Sequence, residues 1–185
     1  MSKVFQYGGI LASVVLIAFG VGSVVTGFSG RDRVQNDLKR EQIVGTPDST
    51  IPHQLVDNGS KAEAFAKVMR KHTLEATGGQ TYAQMPRYQG KNGKPTNDVK
   101  LAATDPKSGQ PVDNPLRNLW VTETALTTAL NTSYFAESVA TFAIVMGIAL
   151  LLSGGGFLVL TLLVLRPAET DAADARAPRI AVAAG

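Results

Sequence analysis

The sequence predicts an all-α protein with two transmembrane helices and a helical extramembrane region between them. Residues 8–28 and residues 139–165 contain no charged side chain, whereas the stretch between them is rich in Lys, Asp, Asn, Gly, Pro and Thr. Each apolar run exceeds the roughly 18 to 20 residues needed to cross a hydrocarbon core of about 30 Å. Because water is absent at that depth, a helix is the simplest way to satisfy the backbone of both runs.

The first apolar run, residues 8–28, is predicted to be an uncleaved transmembrane helix. It is longer than the roughly 7 to 15 apolar residues of a signal peptide, and no clear cleavage site follows it. Residues 31–43 contain no Pro or Gly. We therefore expect the helix to continue as a charged stalk, on which Val34 and Leu38 form a weak apolar stripe.

Residues 29–138 are predicted to form an extramembrane, extracytoplasmic region. A helix is expected to begin at Ser60, because Ser60 and Glu63 match a capping box. It is expected to end at Gly78 and Gly79, which favour a left-handed C-cap. Apolar and other side chains recur along it at three- and four-residue spacing: Phe65, Val68, Met69, His72 and Ala76.

Residues 80–113 are predicted to form a turn-rich loop, because Gly and Pro recur there among Lys, Asn and Asp. Asn114 followed by Pro115 then predicts a helix start, since Asn caps and Pro at the first position loses no needed hydrogen bond. No Pro or Gly occurs in residues 116–146. One helix is therefore expected to run from the loop into the membrane.

The helix that leads into the second apolar run is predicted to contact the stalk of the first. Val34 and Leu38 need an apolar partner, and Leu126 and Leu130 lie at a comparable distance from the membrane along their own helix. Trp120 is too far from the apolar run to belong to an aromatic belt at the membrane surface. A packing contact within the extramembrane region is expected for it.

The second transmembrane helix is predicted at residues 139–165, with Tyr134 and Phe135 as its aromatic belt. Glycines 154–156 are the expected place for a bend, because consecutive Gly weakens a helix interior. Residues 166–185, rich in Ala, Asp and Arg, are predicted to be a disordered tail.

Small residues that are four positions apart allow two helices to pack closely. Three such pairs occur in the apolar runs: Ala18 with Gly22, Ser23 with Gly27, and Ala143 with Gly147. Packing of the two spans on each other is favoured over a dedicated oligomer face.

Composition excludes several classes of function. The net charge is +3, with 18 basic and 15 acidic side chains interspersed, a pattern that argues against a nucleic-acid surface. Cysteine is absent, so the chain has no disulfide, thiolate metal site or cysteine nucleophile. Neither apolar run contains an ionisable side chain, which argues against a transporter or pump built from this chain alone.

No catalytic, cofactor-binding or metal-ligating residue is predicted. His72 has Glu75 nearby and His53 lies across a turn-rich stretch, too few ligands for a metal, so a structural role is favoured for the histidines. No nucleophile elbow or phosphate-binding loop is present. Turn and cap roles are expected for the aspartates of the extramembrane region: Asp48, Asp57, Asp98, Asp105 and Asp113.

The chain is expected to be a multi-pass protein of the cell membrane with both termini in the cytoplasm. The positive-inside rule predicts orientation for loops of up to roughly 60 residues, and the extramembrane region is longer than that. The basic residues that flank the two runs therefore say little about the orientation of the chain in the membrane. The predicted partners are the lipid bilayer and either another membrane protein or a second copy of this chain, with no nucleic acid.

The chain resembles a known group of proteins in three stretches. These are residues 117–131 (RNLWVTETALTTALN), 31–34 (RDRV) and 45–48 (GTPD). It resembles small two-span membrane proteins of actinobacteria. The likeness covers both spans and their flanks and leaves residues 80–113 uncovered. It implies the two-span fold and a membrane location, and it implies no activity.

These observations favour a structural or accessory component of the cell envelope that is not an enzyme. The alternative is an envelope sensor or ligand-binding module that uses residues 44–136. An enzyme is a third, weaker class. A pocket lined by convergent polar groups in the extramembrane region would favour the ligand-binding module, whereas a dry, closed bundle would favour the structural role.

Overall fold

A computed structural model describes residues 2–164, and the predicted tail at 166–185 and the last residue of the second apolar run lie outside this range. The elements in chain order are α1 (Ser2–Arg40), α2 (Gly59–Ala76), β1 (Tyr88–Gln89), β2 (Pro95–Thr96), a 3-10 turn (Val99–Leu101) and α3 (Pro115–Val164). The protein is thus mostly helical, and α1 and α3 are each long and apolar enough to cross a membrane. The predicted fold class is confirmed.

The chain forms two compact units. The first, here called the apolar unit, contains residues 2–27 and 142–164 of the described chain. The second, called the extramembrane unit, is Phe28–Thr141. It contains the end of α1, all of α2, the small sheet and the beginning of α3.

In the apolar unit, α1 and α3 pack against each other through small residues that recur every seventh position. This seam consists of Ser13, Gly20 and Gly27 on α1 and Gly147, Gly154 and Thr161 on α3, all of them buried. A Cβ atom added at Gly20 would lie 2.9 Å from the carbonyl oxygen of Gly147, and one at Gly147 would lie 2.7 Å from that of Gly20. The two backbones are therefore too close for any side chain at these positions.

The predicted small-residue pairs divide between two faces of the apolar unit. Gly147 lies in the seam, as the expected packing of the two spans requires, but Ala18 and Gly22 line an exposed groove of about 460 Å³. A Cβ atom added at Gly22 would meet nothing within 4 Å. α3 continues as a helix through glycines 154–156, the expected place for a bend. Gly154 instead allows close approach, since a Cβ atom there would lie 2.8 Å from the side chain of Ile17.

The core of the extramembrane unit is one apolar cluster to which all three helices contribute. Its buried members are Leu38, Val56, Ala62, Phe65, Ala66, Val68 and Leu130, and the partly buried Val34, Ile43, Ile51, Met69 and Leu126 pack against them. The predicted association of Val34 and Leu38 with Leu126 and Leu130 is confirmed. The sequence did not show that α2 completes the same core.

The connection from α1 to α2 folds back as an irregular hairpin. α1 ends at Arg40, earlier than expected, because Gln42 has a φ of 53° that a helix cannot accommodate. Val44 and Leu55 then form an antiparallel bridge, and the amide of Val56 donates to the carbonyl of Ile43 over 2.8 Å. This pairing brings Val56 into the core.

The predicted capping box at the start of α2 is wrong. Asn58, with extended φ and ψ of −152° and 167°, is the N-cap, and its side-chain oxygen accepts from the amide of Lys61 over 3.0 Å. Ser60 lies inside the first turn, and Glu63 pairs with Lys67. The error arose because Asn and Ser are both good caps and stand two positions apart. The C-cap is confirmed, with φ of 61° at Gly78 and 80° at Gly79.

Asn58→Ala is expected to lower the free energy of unfolding by about 1 kcal/mol, because the substitution leaves the amide of Lys61 without its acceptor. Ser60→Ala is the matched control and is expected to change stability by less than about 0.5 kcal/mol. Chemical denaturation in detergent, followed by far-UV circular dichroism, measures both. A larger loss for Ser60→Ala than for Asn58→Ala would restore the capping box.

Between α2 and α3 the backbone forms a small, irregular sheet that the sequence did not predict. Tyr88 pairs with Thr96, and Gln89 pairs with Pro95. Isolated bridges extend this pair: Gly90 with Ala102, Thr104 with Pro111, and Tyr88 with Asp113. Asp98 caps the 3-10 turn. The carboxylate of Asp105 accepts from the amides of Lys107 and Ser108, so the expected cap and turn roles of these two aspartates are confirmed.

Candidate ligand-binding site

Asn114 fixes the position of the segment that faces the start of α3. It caps α3 as predicted, since its side-chain oxygen accepts from the amide of Leu116 over 3.1 Å. Its side-chain NH₂ donates to the carbonyl of Pro86 over 3.0 Å, and its backbone amide donates to the carbonyl of Arg87 over 2.8 Å. The buried Asn114 therefore holds Arg87 beside the first turn of α3.

Trp120 fixes the other side of the same region. Its side chain is only 3% exposed, and its indole N–H donates to the carbonyl of Gln80 over 2.9 Å. The hydroxyl of Thr77 donates to the same carbonyl over 2.7 Å. The guanidinium of Arg70 lies over the indole, 5.3 Å from the ring centroid. The packing contact predicted for Trp120 is confirmed, and it ties the residues after α2 to α3.

Five polar side chains line a small cavity between these two anchors. This arginine cavity has a volume of about 140 Å³ and is lined by Tyr82, Arg87, Asp113, Arg117 and Asn118. The guanidinium carbon of Arg117 lies 4.0 Å from the ring centroid of Tyr82, and that of Arg87 lies 5.1 Å from the ring centroid of Tyr88. Stacking of this kind orients a guanidinium and leaves its N–H edge available.

The electrostatic balance of the arginine cavity is positive. Two arginines and one aspartate line it. In the part of the chain that the structure describes, neither arginine belongs to a salt bridge. A guanidinium without a carboxylate partner favours an anion, to which it can donate two parallel hydrogen bonds.

An apolar groove along α3 adjoins the arginine cavity. This α3 groove has a volume of about 550 Å³ and is lined by Tyr82, Trp120, Val121, Thr124, Ala125 and Thr128. Tyr82 lines both spaces. Val121 is 57% exposed and Tyr82 is 44% exposed, so the groove opens to the surroundings.

A second polar cluster, centred on Glu137, joins all three helices of the extramembrane unit. Glu137 is 9% exposed. One carboxylate oxygen accepts from the side-chain NH₂ of Gln35 over 2.8 Å and from Nε of Arg31 over 3.1 Å. The other oxygen accepts from the backbone amide of Gly59 at the start of α2. The buried carboxylate of Glu137 thus accepts three hydrogen bonds from α1 and α2. This arrangement indicates that Glu137 has a structural role, which is to link α3 to the other two helices.

The surroundings of Glu137 favour its charged form. Burial raises the pKa of the Glu137 carboxyl, but the donors on Gly59, Gln35 and Arg31 together lower that pKa by more. The net direction is a lowered pKa, so Glu137 stabilises the unit as a carboxylate.

The histidine and aspartate residues that the sequence analysis singled out lie apart from the arginine cavity, with the exception of Asp113. His72 Nε2 and Lys71 Nζ each lie 2.9 Å from one carboxylate oxygen of Asp48, and Lys71, His72 and Thr46 hold the pKa of the Asp48 carboxyl well below its usual range. The prediction that Asp48 has only a turn role was therefore wrong. Its carboxylate also links the segment between α1 and α2 to Lys71 and His72 of α2.

The remaining aspartate, Asp57, forms a salt bridge of 3.0 Å with Lys61. Lys61 lowers the pKa of the Asp57 carboxyl. Among residues 2–164, no group of three or more His, Cys, Asp or Glu side chains is arranged to hold a metal ion.

Sequence reasoning missed most residues of these two clusters, including Arg87, Arg117 and Glu137. Arg87 and Arg117 lie in different segments, and nothing local indicates that they meet. Glu137 carried a weak signal, because an acidic residue just before one apolar run and Arg31 just after the other are placed to pair at the ends of antiparallel helices. The chain matches no protein-family model, no curated protein and no solved structure.

Proposed function

We propose that this protein is a membrane-anchored accessory component of the cell envelope and that it is not an enzyme. The observation that supports this role most is the apolar core of the extramembrane unit. The ends of both membrane-compatible helices contribute side chains to it, Leu38 from α1 and Leu130 from α3. The extramembrane unit is therefore built partly from these two helices, and its surface is proposed to contact other envelope proteins.

The membrane location is supported by the length and composition of α1 and α3. The non-enzymatic role is supported by the chemistry of the arginine cavity. Its lining offers two cations, a carboxylate, an amide and a phenol, and it contains no nucleophile paired with a base. Two guanidinium groups oriented by tyrosine rings are suited to binding an anion.

For orientation, we propose that both termini lie in the cytoplasm and the extramembrane unit lies outside. A cysteine introduced by Ser108→Cys is expected to be labelled in intact cells by a membrane-impermeant thiol reagent, whereas one introduced by Ser2→Cys is expected to react only after permeabilisation. The natural chain contains no cysteine, so background labelling is absent. The reverse pattern would place the extramembrane unit in the cytoplasm.

An accessory role requires a protein partner. A photo-crosslinking side chain at Val99 or Leu101, two large apolar residues that are exposed on the extramembrane unit, is expected to capture one defined membrane or envelope protein in native membranes. The same probe at Lys67, on an exposed part of α2, tests whether capture is specific to that surface. If no position captures a protein, the accessory role is contradicted.

The arginine cavity favours a second candidate function, a ligand-binding module of the envelope. A pocket lined by convergent polar groups is the feature that distinguishes this class from a closed structural bundle. The cavity and the α3 groove provide it. In this case the anchors would hold a binding unit at the membrane, and the ligand would be a molecule of the envelope.

A further inference from the structure

The arginine cavity and the α3 groove are two halves of one site with opposite chemistry. The cavity holds two arginines with no salt bridge among the described residues. The adjoining groove is lined by Trp120, Val121, Ala125 and the side chains of two threonines. Tyr82 belongs to both linings, so the two spaces are neighbours.

The volumes of the two spaces limit what that molecule can be. At roughly 30 Å³ per water, a cavity of about 140 Å³ has room for a group the size of four or five waters. A carboxylate or a phosphate is of this size. The groove, at about 550 Å³, is several times larger and mostly apolar, so it favours an alkyl chain.

We infer that this site binds an amphiphile with one small anionic head and an alkyl chain, of the fatty acid or lipid phosphate class. The head lies between Arg87 and Arg117, whose guanidinium groups donate to its oxygens. The chain follows α3 along Val121 and Ala125. The inference rests on the second candidate function above and names the ligand class for it.

Charge complementarity decides the sign of the head. Arg87 and Arg117 outnumber Asp113, and the rings of Tyr82 and Tyr88 hold both guanidinium groups in place. A cationic head would meet the net positive charge of two arginines and one aspartate. A neutral head could accept from the guanidinium N–H groups, but it would form the weaker hydrogen bonds of an uncharged acceptor.

The test uses full-length protein in nanodiscs of phosphatidylcholine, titrated with 12-bromododecanoate or 12-bromododecyl phosphate. The chain has one tryptophan, and Trp120 lines the groove, so bromine that enters the groove quenches the fluorescence of a single known site. Saturable quenching that unbrominated dodecanoate reverses is expected. The head that binds more tightly distinguishes a fatty acid from a lipid phosphate. Discs that contain brominated phosphatidylcholine measure quenching from the bilayer itself.

Variants locate the binding. Arg87→Gln and Arg117→Gln are each expected to raise the midpoint of quenching roughly tenfold or more, because each removes a charge-assisted contact with the head. Lys107→Gln removes the same charge from an exposed position outside both linings and is expected to leave the midpoint unchanged. Ala125→Leu fills the groove and is expected to weaken amphiphile binding without changing the binding of inorganic phosphate, measured by calorimetry.

Four results would overturn the inference. If the two arginine variants and the natural protein have equal quenching midpoints, the amphiphile only partitions into the disc. The same conclusion follows if the cationic 12-bromododecyltrimethylammonium quenches Trp120 as strongly as the anionic amphiphiles do. If inorganic phosphate binds as tightly as the amphiphile, the site is an anion site. The amphiphile inference then fails, but the ligand-binding candidate does not. If neither binds, the ligand-binding candidate fails with it, while the crosslinking test of the accessory role stays independent.

Discussion

Leu130→Asp is expected to lower the free energy of unfolding of the extramembrane unit by about 4 kcal/mol. Leu130 is only 2% exposed and belongs to the core cluster with Leu38 and Phe65. The substitution removes a buried aliphatic side chain and brings a carboxylate into an apolar contact that offers it no partner. Denaturant unfolding in detergent, followed by the fluorescence of Trp120 in the same unit, measures the change.

Asn131→Asp is the matched control for Leu130→Asp. It introduces the same side chain at the next position of α3, where the residue is exposed. A change of less than about 0.5 kcal/mol is expected, as for most surface substitutions. An unchanged unfolding midpoint for Leu130→Asp itself would contradict the three-helix core.

Glu137→Leu is expected to cost about 3 kcal/mol, the second largest effect. It removes the acceptor used by Arg31, Gln35 and the amide of Gly59, and that amide is then buried without a partner. Glu137→Gln keeps the shape and one carbonyl oxygen, so a smaller loss of about 1 to 2 kcal/mol is expected. Glu63→Gln breaks only the surface pair with Lys67 and is the control, with an expected loss below about 0.5 kcal/mol.

The contribution of Glu137 also depends on pH. Because its pKa is lowered from 4.5 in the folded protein, the unfolded chain binds a proton first as the pH falls. Stability from Glu137 is therefore complete above about pH 4.5 and is lost as the pH falls through the lower, folded-state pKa. Unfolding midpoints of the natural protein should decline more steeply below pH 4.5 than those of Glu137→Gln. Parallel pH profiles would show that Glu137 is not stabilised as a carboxylate.

The long helices were predictable because their signals are local. Uncharged runs mark the apolar parts of α1 and α3, and Asn114 with Pro115 marks where α3 begins. The start of α2 was harder, since the sequence offers two capping residues close together and only the path of the chain before them selects Asn58. The small sheet left no side-chain pattern to detect, because its strands are two residues long and are held by backbone hydrogen bonds.

The candidate site could not be predicted for a different reason, which is that its parts are distant in sequence. Glu137 meets Arg31 across 106 positions. Arg87 and Arg117 line one cavity, and Asn114 holds the carbonyls of Pro86 and Arg87 beside the start of α3. A charged residue in a polar stretch has the same appearance in the sequence whether it faces solvent or another arginine. Only the folded chain separates the two cases.

The small-residue seam also bears on the order in which the protein is made. Gly20 leaves the ribosome long before Gly147, its neighbour in the folded protein, since chains are synthesised from the N-terminus. The apolar part of α1 is therefore synthesised while the glycines of α3 do not yet exist. The extramembrane core needs no residue beyond Leu130. Its residues are therefore all synthesised before those of the apolar part of α3, on which the pairing of the two long helices depends.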